Sequence, residues 1–281
     1  MLENYSVLMS VYAKERPEFL RLSTESMLAQ TVKTNNFVLV CDGPLTPELD
    51  AIVAELQQKH GDLFHVIRLE TNQGLAHALN RGLRECKNEL VARMDSDDIA
   101  ATDRMQKQLQ FLKDHPEISV VGGQIAEFDE SPDQIIRYRM VPENQKDILH
   151  KLKFSNPMNH VTTVFQKEDV LNVGSYPDHP GFEDYHLWTK LLAEGYLFHN
   201  LSDTCCFVRA DANMLKRRNG FSYFKNTVKM ENLLLKKKLI SPWQYLVNVT
   251  VRFGGTVLLP HGIRKKLFAI LMRKQKHTNT I

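Results

Sequence analysis

The chain has 281 residues, of which 43% are hydrophobic and 25% are charged, and this composition excludes a disordered or fibrous protein. Its length suits one large α/β domain or a domain with an appendage. No apolar run reaches the roughly 20 residues of a membrane-spanning helix, and the first dozen residues predict no secretory signal. The four cysteines lack paired metal-ligand spacing, which predicts reduced thiols in a cytosolic protein.

The net charge of +3 is unevenly distributed along the chain. Residues 211–281 contain 15 Lys and Arg against 2 Asp and Glu, whereas residues 1–210 contain 21 against 31. This shift predicts a domain boundary near residue 210 and an anionic partner for the basic region. Its basic clusters alternate with apolar and aromatic residues, which favours a membrane surface, while the acidic main domain argues against nucleic acid. A solvated helical appendage that packs on the domain is the alternative.

Strand and helix signals alternate along the first 200 residues. Apolar runs predict strands at residues 6–12, 37–41, 65–69, 118–122 and 161–165, with a further strand that begins at Leu90. Helices are predicted from Pro17, from Thr46 as N-cap to Gly61, from Leu75 to Cys86, from Thr102 as N-cap to Asp114, and from about Glu183 to Gly195. Residues 127–156 are more polar and less regular. Crossovers of ten or more residues predict a parallel sheet covered on both faces.

An acidic cluster follows the strand that begins at Leu90. Asp95, Asp97 and Asp98 stand within four residues, and their charges repel one another unless they are solvated or a hard cation such as Mg²⁺ or Mn²⁺ lies among them. The carboxyl end of a strand in an open α/β sheet is also where ligands bind. The alternative is an acidic helix N-cap followed by a polar turn.

Other polar residues follow the first two strands. No glycine occurs before Gly43, so the first strand-to-helix turn cannot form the glycine-rich phosphate cradle of P-loop or dinucleotide-binding proteins. Tyr12 and Glu15 stand there instead, and Asp42 follows the second strand. An ionised carboxylate makes strong hydrogen bonds to a sugar hydroxyl or a uracil N–H. These positions therefore predict a site for a sugar or a nucleotide.

Several motifs in this order resemble the family 2 glycosyltransferases of the GT-A fold. The motifs are Ser6–Tyr12, Asp42, Asn72-x-Gly74 with Asn80-x-Gly82, Asp95-Ser96-Asp97-Asp98, and Glu183-Asp184-x-x-Leu187-Trp188. The resemblance covers about residues 5–210 and is greatest for bacterial enzymes that build O-antigen, capsule or exopolysaccharide units on a lipid-diphosphate carrier. It implies an α/β fold with a Rossmann-like, mostly parallel central sheet, helices on both faces, and a basic C-terminal helical region over residues 211–281.

The resemblance also implies roles for individual residues. Asp97 and Asp95 would form the metal site for Mn²⁺ or Mg²⁺, with Asp95 facing the donor ribose or sugar. Asp184 would be the catalytic base, oriented by Glu183, although a helix N-terminus alone favours such acids. The donor-binding residues would be Tyr12, Glu15, Asp42, Asn72, Gly74, Arg93, Asp95 and Ser96. Many members of the family have two acidic residues where this chain has Cys41–Asp42.

The activity implied is an inverting, metal-dependent transfer of a hexose from a UDP-sugar to a hydroxyl of a lipid-diphosphate-linked saccharide. Galactose and glucose are the expected sugars, although no residue selects between them. The enzyme would lie on the cytoplasmic side of the cell membrane as a peripheral protein.

A non-catalytic nucleotide-sugar-binding protein remains an alternative. A sugar-nucleotide nucleotidyltransferase is another, although it would need a glycine-rich basic first loop. His160 and His186 are interpreted as structural or solvated residues.

Overall fold

The structure is a computed structural model that describes residues 2–210 and 220–258. The chain divides into two compact units, Met1–Arg209 and Ala210–Ile281. The basic clusters at residues 216–218, 264–266 and 273–274 lie outside the described residues, so the structure bears on only part of the predicted basic region. No helix in the described ranges is both long enough and apolar enough to cross a membrane.

The first unit is built from strands and helices that alternate along most of its length. Its strands are β1 (Tyr5–Val11), β2 (Asn36–Cys41), β3 (Phe64–Arg68), β4 (Leu90–Asp95), β5 (Ile99–Ala100), β6 (Ile118–Phe128), β7 (Ile135–Arg139), β8 (Val164–Gln166) and β9 (Leu197–Arg209). Its helices are α1 (Pro17–Leu28), α2 (Pro47–His60), α3 (Leu75–Glu85), α4 (Arg104–Asp114), α5 (Gln145–Leu152), α6 (Lys167–Asn172) and α7 (Glu183–Ala193).

These strands form one mixed sheet in the order β3-β2-β1-β4-β8-β6-β9-β5, with β7 also paired to β6. The pairs among β3, β2, β1 and β4 are parallel, as the long crossovers predict. Beyond β4 the sheet is parallel only in part, because β8 runs antiparallel to both β4 and β6 whereas β6 and β9 pair in parallel. The short loop from β6 to β7 also permits only an antiparallel pair.

Some local expectations need correction. Helix α4 has Asp103 rather than Thr102 as its N-cap, because the Thr102 carbonyl accepts a hydrogen bond from the Thr31 amide. The strand expected at residues 161–165 begins only at Val164, since residues 160–162 close a 3₁₀ turn through local backbone hydrogen bonds. Strand β6 continues to Phe128, and β7 and α5 lie within the segment expected to be irregular. All four cysteines are buried and unpaired.

The sheet and α3 make a close contact at Gly82. A Cβ atom at this position would lie 2.5 Å from Leu8 Cδ1 on β1 and 2.7 Å from Val40 Cγ2 on β2. Both partners are fully buried in the core. The absence of a side chain at Gly82 therefore sets how closely α3 packs on β1 and β2.

The second unit contains α8 (Gly220–Lys236) and α9 (Pro242–Phe253), followed by a π-helical turn over Gly254–Leu258. Ser241 caps α9 by accepting a hydrogen bond from the Gln244 amide at 3.1 Å, and Pro242 occupies the first helical position, where its missing N–H costs nothing. The two helices pair through Glu231, which accepts a hydrogen bond from Asn248 Nδ2 at 2.9 Å.

Replacing Gly82 by Val should lower the free energy of unfolding by at least about 2 kcal/mol, because overpacking forces the sheet and α3 apart. Chemical denaturation of the purified protein measures this loss. The matched control is Arg84→Val, which places the same β-branched residue on the exposed side of α3 and should cost only about 0.5 kcal/mol. Equal effects of the two substitutions would contradict the close packing at Gly82.

Candidate active site

The predicted donor-binding residues meet at one edge of the sheet because the strands that carry them are parallel and in register. Ser10 pairs with Asp95 and Val11 pairs with Cys41. The residues that follow these positions therefore emerge together at the carboxyl ends of β1, β2 and β4. Tyr12 is largely exposed at this edge, whereas Asp42 is buried.

Asp42 connects the end of β2 to the start of α3. Its carboxylate accepts hydrogen bonds from the amides of Gln73 at 2.7 Å and Gly74 at 3.0 Å, and Asn72 Nδ2 donates to the Asp42 carbonyl at 3.1 Å. Gly43 permits this approach: a Cβ there would lie 2.6 Å from the Asn72 amide nitrogen, and its φ is +87°. A uracil N–H would have to use lone pairs of Asp42 that these amides leave free.

Glu15 lies beside the acidic loop after β4. Its Oε2 accepts a hydrogen bond from Ser96 Oγ at 2.6 Å, and its Oε1 accepts one from the Arg16 amide at 2.9 Å. The turn after β1 and the Asp95–Asp98 segment are thus joined by a direct side-chain contact, and two residues predicted to bind the donor position each other.

A buried arginine holds the first carboxylate of the acidic segment. The two terminal nitrogens of the Arg93 guanidinium pair with the Asp95 carboxylate. Burial opposes the charge of Arg93, but Asp95 outweighs this effect and raises the pKa of the guanidinium. Among the described residues, no hydrogen-bond acceptor faces the buried Arg93 Nε. Asp95 keeps about a third of its side chain exposed, so a ligand can still reach it.

The other two carboxylates of the segment have different environments. The side chain of Asp97 reaches solvent, but neighbouring atoms remove part of the water around its carboxylate. This desolvation, with the negative charges of Asp95 and Glu15, raises the pKa of Asp97 to about 7. Asp98 is buried, and burial together with Asp97 raises its pKa well above the usual range. Asp98 Oδ1 accepts a hydrogen bond from the Arg209 amide at 3.0 Å, while Arg209 Nε donates to the Asp97 carbonyl at 2.9 Å. Asp98 therefore fastens this loop to the end of β9.

The Glu183–Asp184 pair opens α7. Asp184 Oδ2 accepts a hydrogen bond from Asn156 Nδ2 at 2.6 Å, and Oδ1 accepts one from the Tyr185 amide at 2.7 Å. Burial raises the pKa of Glu183, and the adjacent charge of Asp184 adds to the increase. The carboxylate of Asp184 thus has a fixed orientation, which Asn156, a residue that we did not select from the sequence, helps to set.

Tyr176 is a buried residue influenced by both groups of acids, and nothing in the sequence pointed to it. Burial raises the pKa of its hydroxyl, Arg93 opposes this increase, and Asp184 and Asp95 add to it. Charges of residues on β4 and on α7 therefore both affect the Tyr176 hydroxyl. Asn80 fixes the backbone of Tyr176 with two hydrogen bonds, at 2.7 and 2.9 Å, which gives a structural role to the Asn80-x-Gly82 motif.

The histidines near the site take part in packing. His160 Nε2 lies 3.0 Å from the Tyr176 hydroxyl, and its ring packs edge-on against Trp188 at 5.9 Å. Burial, reinforced by Arg93, holds the pKa of His160 well below its usual value. His186 Nδ1 lies 3.1 Å from His179 Nδ1. Burial, with a smaller effect of His179, lowers the pKa of His186 to about 4.

The donor atoms at the edge of the sheet are of the kind that a hard divalent cation prefers. In residues 2–210 and 220–258, no three His, Cys, Asp or Glu side chains are grouped so as to hold a metal by themselves. Mg²⁺ commonly binds one or two carboxylates and completes its shell with substrate phosphates and water. The exposed carboxylate of Asp97, with Asp95 and Glu15 nearby, fits a site in which substrate phosphates and water complete the metal shell.

Residues 6–174 match the family described as Glycosyl transferase family 2. The amylovoran biosynthesis glycosyltransferase AmsE of Erwinia amylovora is 38% identical over 83% of this chain and 86% of its own length. The UDP-Gal:alpha-D-GlcNAc-diphosphoundecaprenol beta-1,3-galactosyltransferase of Escherichia coli is 30% identical over 96% of this chain and 97% of its own. The second relative aligns with nearly the whole chain, a span that must include most of the basic region.

Solved structures with low sequence identity have the same fold. Staphylococcus aureus TarS 1-349 in complex with UDP-GlcNAc matches with a TM-score of 0.67 and 17% identity, over 91% of this chain and 74% of that one. The mannosyltransferase PcManGT from Pyrobaculum calidifontis, in complex with GDP-Man and Mn²⁺, matches with a TM-score of 0.60 and 18% identity, over 95% and 79%. The predicted GT-A fold class is confirmed, with a mixed, curled sheet and flanking helices.

Acid should destabilise the protein partly through His186. Its pKa falls from an ordinary 6.5 to about 4 on folding, so between these values the unfolded chain binds a proton that the folded chain does not, and stability is lost as the pH falls from 6.5 towards 4. The melting temperature of His186→Gln should therefore fall less steeply between pH 7 and pH 5 than that of the wild type. Parallel curves for the two proteins would contradict the assignment.

Proposed function

The chain belongs to glycosyl transferase family 2, and we propose that it transfers galactose or glucose, with inversion, from a UDP-sugar to a hydroxyl of a lipid-diphosphate-linked saccharide. Its relatives make it a glycosyltransferase of the kind that acts in polysaccharide biosynthesis. The name of the E. coli relative specifies UDP-Gal and a diphosphoundecaprenol acceptor, and TarS was solved with UDP-GlcNAc. The name of the E. coli relative supports a uridine-based donor and a lipid-linked acceptor.

The observation that carries the proposal is that the segment leading into β8 contacts both acidic groups. The Thr163 carbonyl accepts a hydrogen bond from the Arg93 amide at 2.9 Å, and Asn156 Nδ2 donates to Asp184 Oδ2 at 2.6 Å. The candidate donor site and the candidate base therefore belong to one region of the unit, although Asp95 and Asp184 are almost ninety residues apart in sequence. A transferase that joins two substrates needs the groups that bind the donor and the group that activates the acceptor in one place.

On the donor side, Asp97 would hold Mn²⁺ or Mg²⁺ together with the donor diphosphate, and Asp95 would lie at the same site. When bound, the ion would act as a Lewis acid that stabilises the charge growing on the departing UDP. Arg93 fixes the orientation of Asp95, whose exposed part can accept a hydrogen bond from a ribose or sugar hydroxyl. Tyr12, Glu15, Asp42, Asn72, Gly74 and Ser96 complete the proposed donor site.

On the acceptor side, Asp184 takes the proton from the attacking hydroxyl. The hydroxyl oxygen bonds to the anomeric carbon while the bond from that carbon to the UDP oxygen breaks, and the transition state resembles an oxocarbenium ion. A single displacement inverts the anomeric centre, so an α-linked donor gives a β-linked product. Asn156 and the Tyr185 amide keep both oxygens of Asp184 in place, and Glu183 lies next to it as a second positioning group.

A lipid-linked acceptor also gives the basic region a function. We propose that residues 211–281 hold the enzyme at the anionic cytoplasmic surface of the membrane, where each nearby Lys or Arg contributes roughly 1 kcal/mol of binding. This region contains 15 basic and only 2 acidic residues, which supports the proposal.

Replacing Asp97 by Asn should weaken the binding of UDP in the presence of Mn²⁺ at least about tenfold, because the substitution removes the charged metal ligand. Titration calorimetry with Mn²⁺, and again after addition of a chelator, measures this effect. Asp62→Asn makes the same change at an exposed aspartate that is distant from Asp97 in the sequence. It is the matched control and should bind like the wild type. UDP binding that ignores both the metal and the substitution would refute the proposed metal site.

Replacing Asp184 by Asn should reduce sugar transfer by roughly 10²–10⁴-fold while UDP binding stays nearly unchanged, because only the general base is lost. Transfer from UDP-[¹⁴C]galactose and UDP-[¹⁴C]glucose to membrane lipid extracts measures activity, and calorimetry measures binding. The nearby exposed Asp178→Asn is the control. A wild type that binds UDP but transfers no sugar in any such assay would favour the non-catalytic alternative.

A further inference from the structure

Helix α9 of the second unit has an exposed apolar face. The face consists of Trp243, Leu246, Val247 and Val251, whose exposed fractions are 72%, 54%, 41% and 67%. Their spacing of three, four and eight residues from Trp243 places them in one stripe along the helix. We call this stripe the α9 apolar face.

The opposite side of α9 carries two polar residues that contact α8. Asn248 donates a hydrogen bond to the buried Glu231 of α8 at 2.9 Å, and Arg252 Nε pairs with the same carboxylate at 3.2 Å. A helix on the surface of a globular protein usually buries its apolar side and exposes its polar side. Here the buried ion pair and hydrogen bond fix the rotation of α9 so that the apolar side points outwards.

The exposed charges of residues 220–258 have a single sign. Glu231 is the only acidic residue between positions 220 and 258, and its side chain is only 1% exposed. The exposed charged residues of this range are Lys225, Lys229, Lys236 and Lys238. Lys236 ends α8 and Lys238 lies in the turn between α8 and α9, while Trp243 stands in the first helical turn of α9. The described part of the unit thus presents apolar and cationic groups without an exposed carboxylate.

We propose that the α9 apolar face inserts into the headgroup region of an anionic bilayer while these lysines contact the lipid phosphates. The inference rests on the membrane association proposed for residues 211–281 and names the surface that makes it. An anionic bilayer meets both properties of the unit, since its acyl boundary takes up apolar side chains and its headgroups attract Lys. Tryptophan is favoured at such an interface because its ring has an apolar body and a polar N–H.

The chain carries its own probe of this insertion. It has two tryptophans, of which Trp188 is fully buried and Trp243 is exposed. Addition of phosphatidylglycerol-containing vesicles to the full-length protein should shift the tryptophan emission to shorter wavelength, and brominated lipids should quench it. Pure phosphatidylcholine vesicles should have a much smaller effect.

Leu246→Glu and Val251→Glu each place a carboxylate in the α9 apolar face and should weaken co-sedimentation with the anionic vesicles at least about tenfold. The control is Leu22→Glu, which changes an exposed leucine of α1 in the same way and should bind vesicles normally. Circular dichroism and transfer to a detergent-solubilised acceptor check that the variants are folded and active.

The outcomes separate this inference from the broader proposal. Vesicle binding without an emission shift, and with no loss in the two variants, would refute the role of the α9 apolar face and leave membrane association to other basic segments. No vesicle binding at all would overturn both, whereas transfer to the solubilised acceptor would still support the enzymatic function. A wild-type oligomer that the two substitutions convert to monomer, without any effect of vesicles, would instead identify the face as an interface between copies of the chain.

Discussion

The ion pair between Arg93 and Asp95 is the interaction on which the acidic edge of this protein depends. A guanidinium in the core is costly unless a carboxylate pairs with it, and several carboxylates at one sheet edge repel one another unless a cation offsets them. Each group thus compensates for the other. A second buried arginine contacts the same strand: Arg104 Nη2 donates a hydrogen bond to the Arg93 carbonyl at 3.0 Å. Two internal positive charges therefore lie beneath the edge at which an anionic donor would bind.

The mixed sheet explains how this edge faces the acceptor side of the site. The parallel strands β3, β2, β1 and β4 form a surface typical of nucleotide binding, at the carboxyl ends of the strands. The antiparallel strand β8 then pairs with β4, and the chain segment that leads into it carries Asn156 and His160. A parallel strand at this place would have required a crossover on one face of the sheet. The change in strand direction is what brings the partner of Asp184 and the neighbour of Tyr176 to the end of β4.

Sequence patterns predicted the elements whose signal is local. The four parallel strands are long apolar runs, and Thr46 caps α2 with a hydrogen bond from the Leu49 amide, as its position before Pro47 indicates. The different environments of Asp97 and Asp98 could not be predicted, because the end of β9, more than a hundred residues later, determines which carboxylate is buried. Tyr176 lies in a loop without periodicity and owes its position to Asn80. The proposed roles of the site residues follow from the resemblance.

The bond between Asp98 and Arg209 has a consequence for how the enzyme would find its acceptor. Arg209 is the last residue of the first unit, so the polypeptide leaves for the basic region from a point fixed to the loop that carries Asp97. If the second unit rests on a bilayer, its covalent connection through Arg209 keeps the first unit at the membrane. Lipid-linked acceptors would then be searched for in two dimensions at a high effective concentration, and a weak intrinsic affinity for the saccharide would suffice.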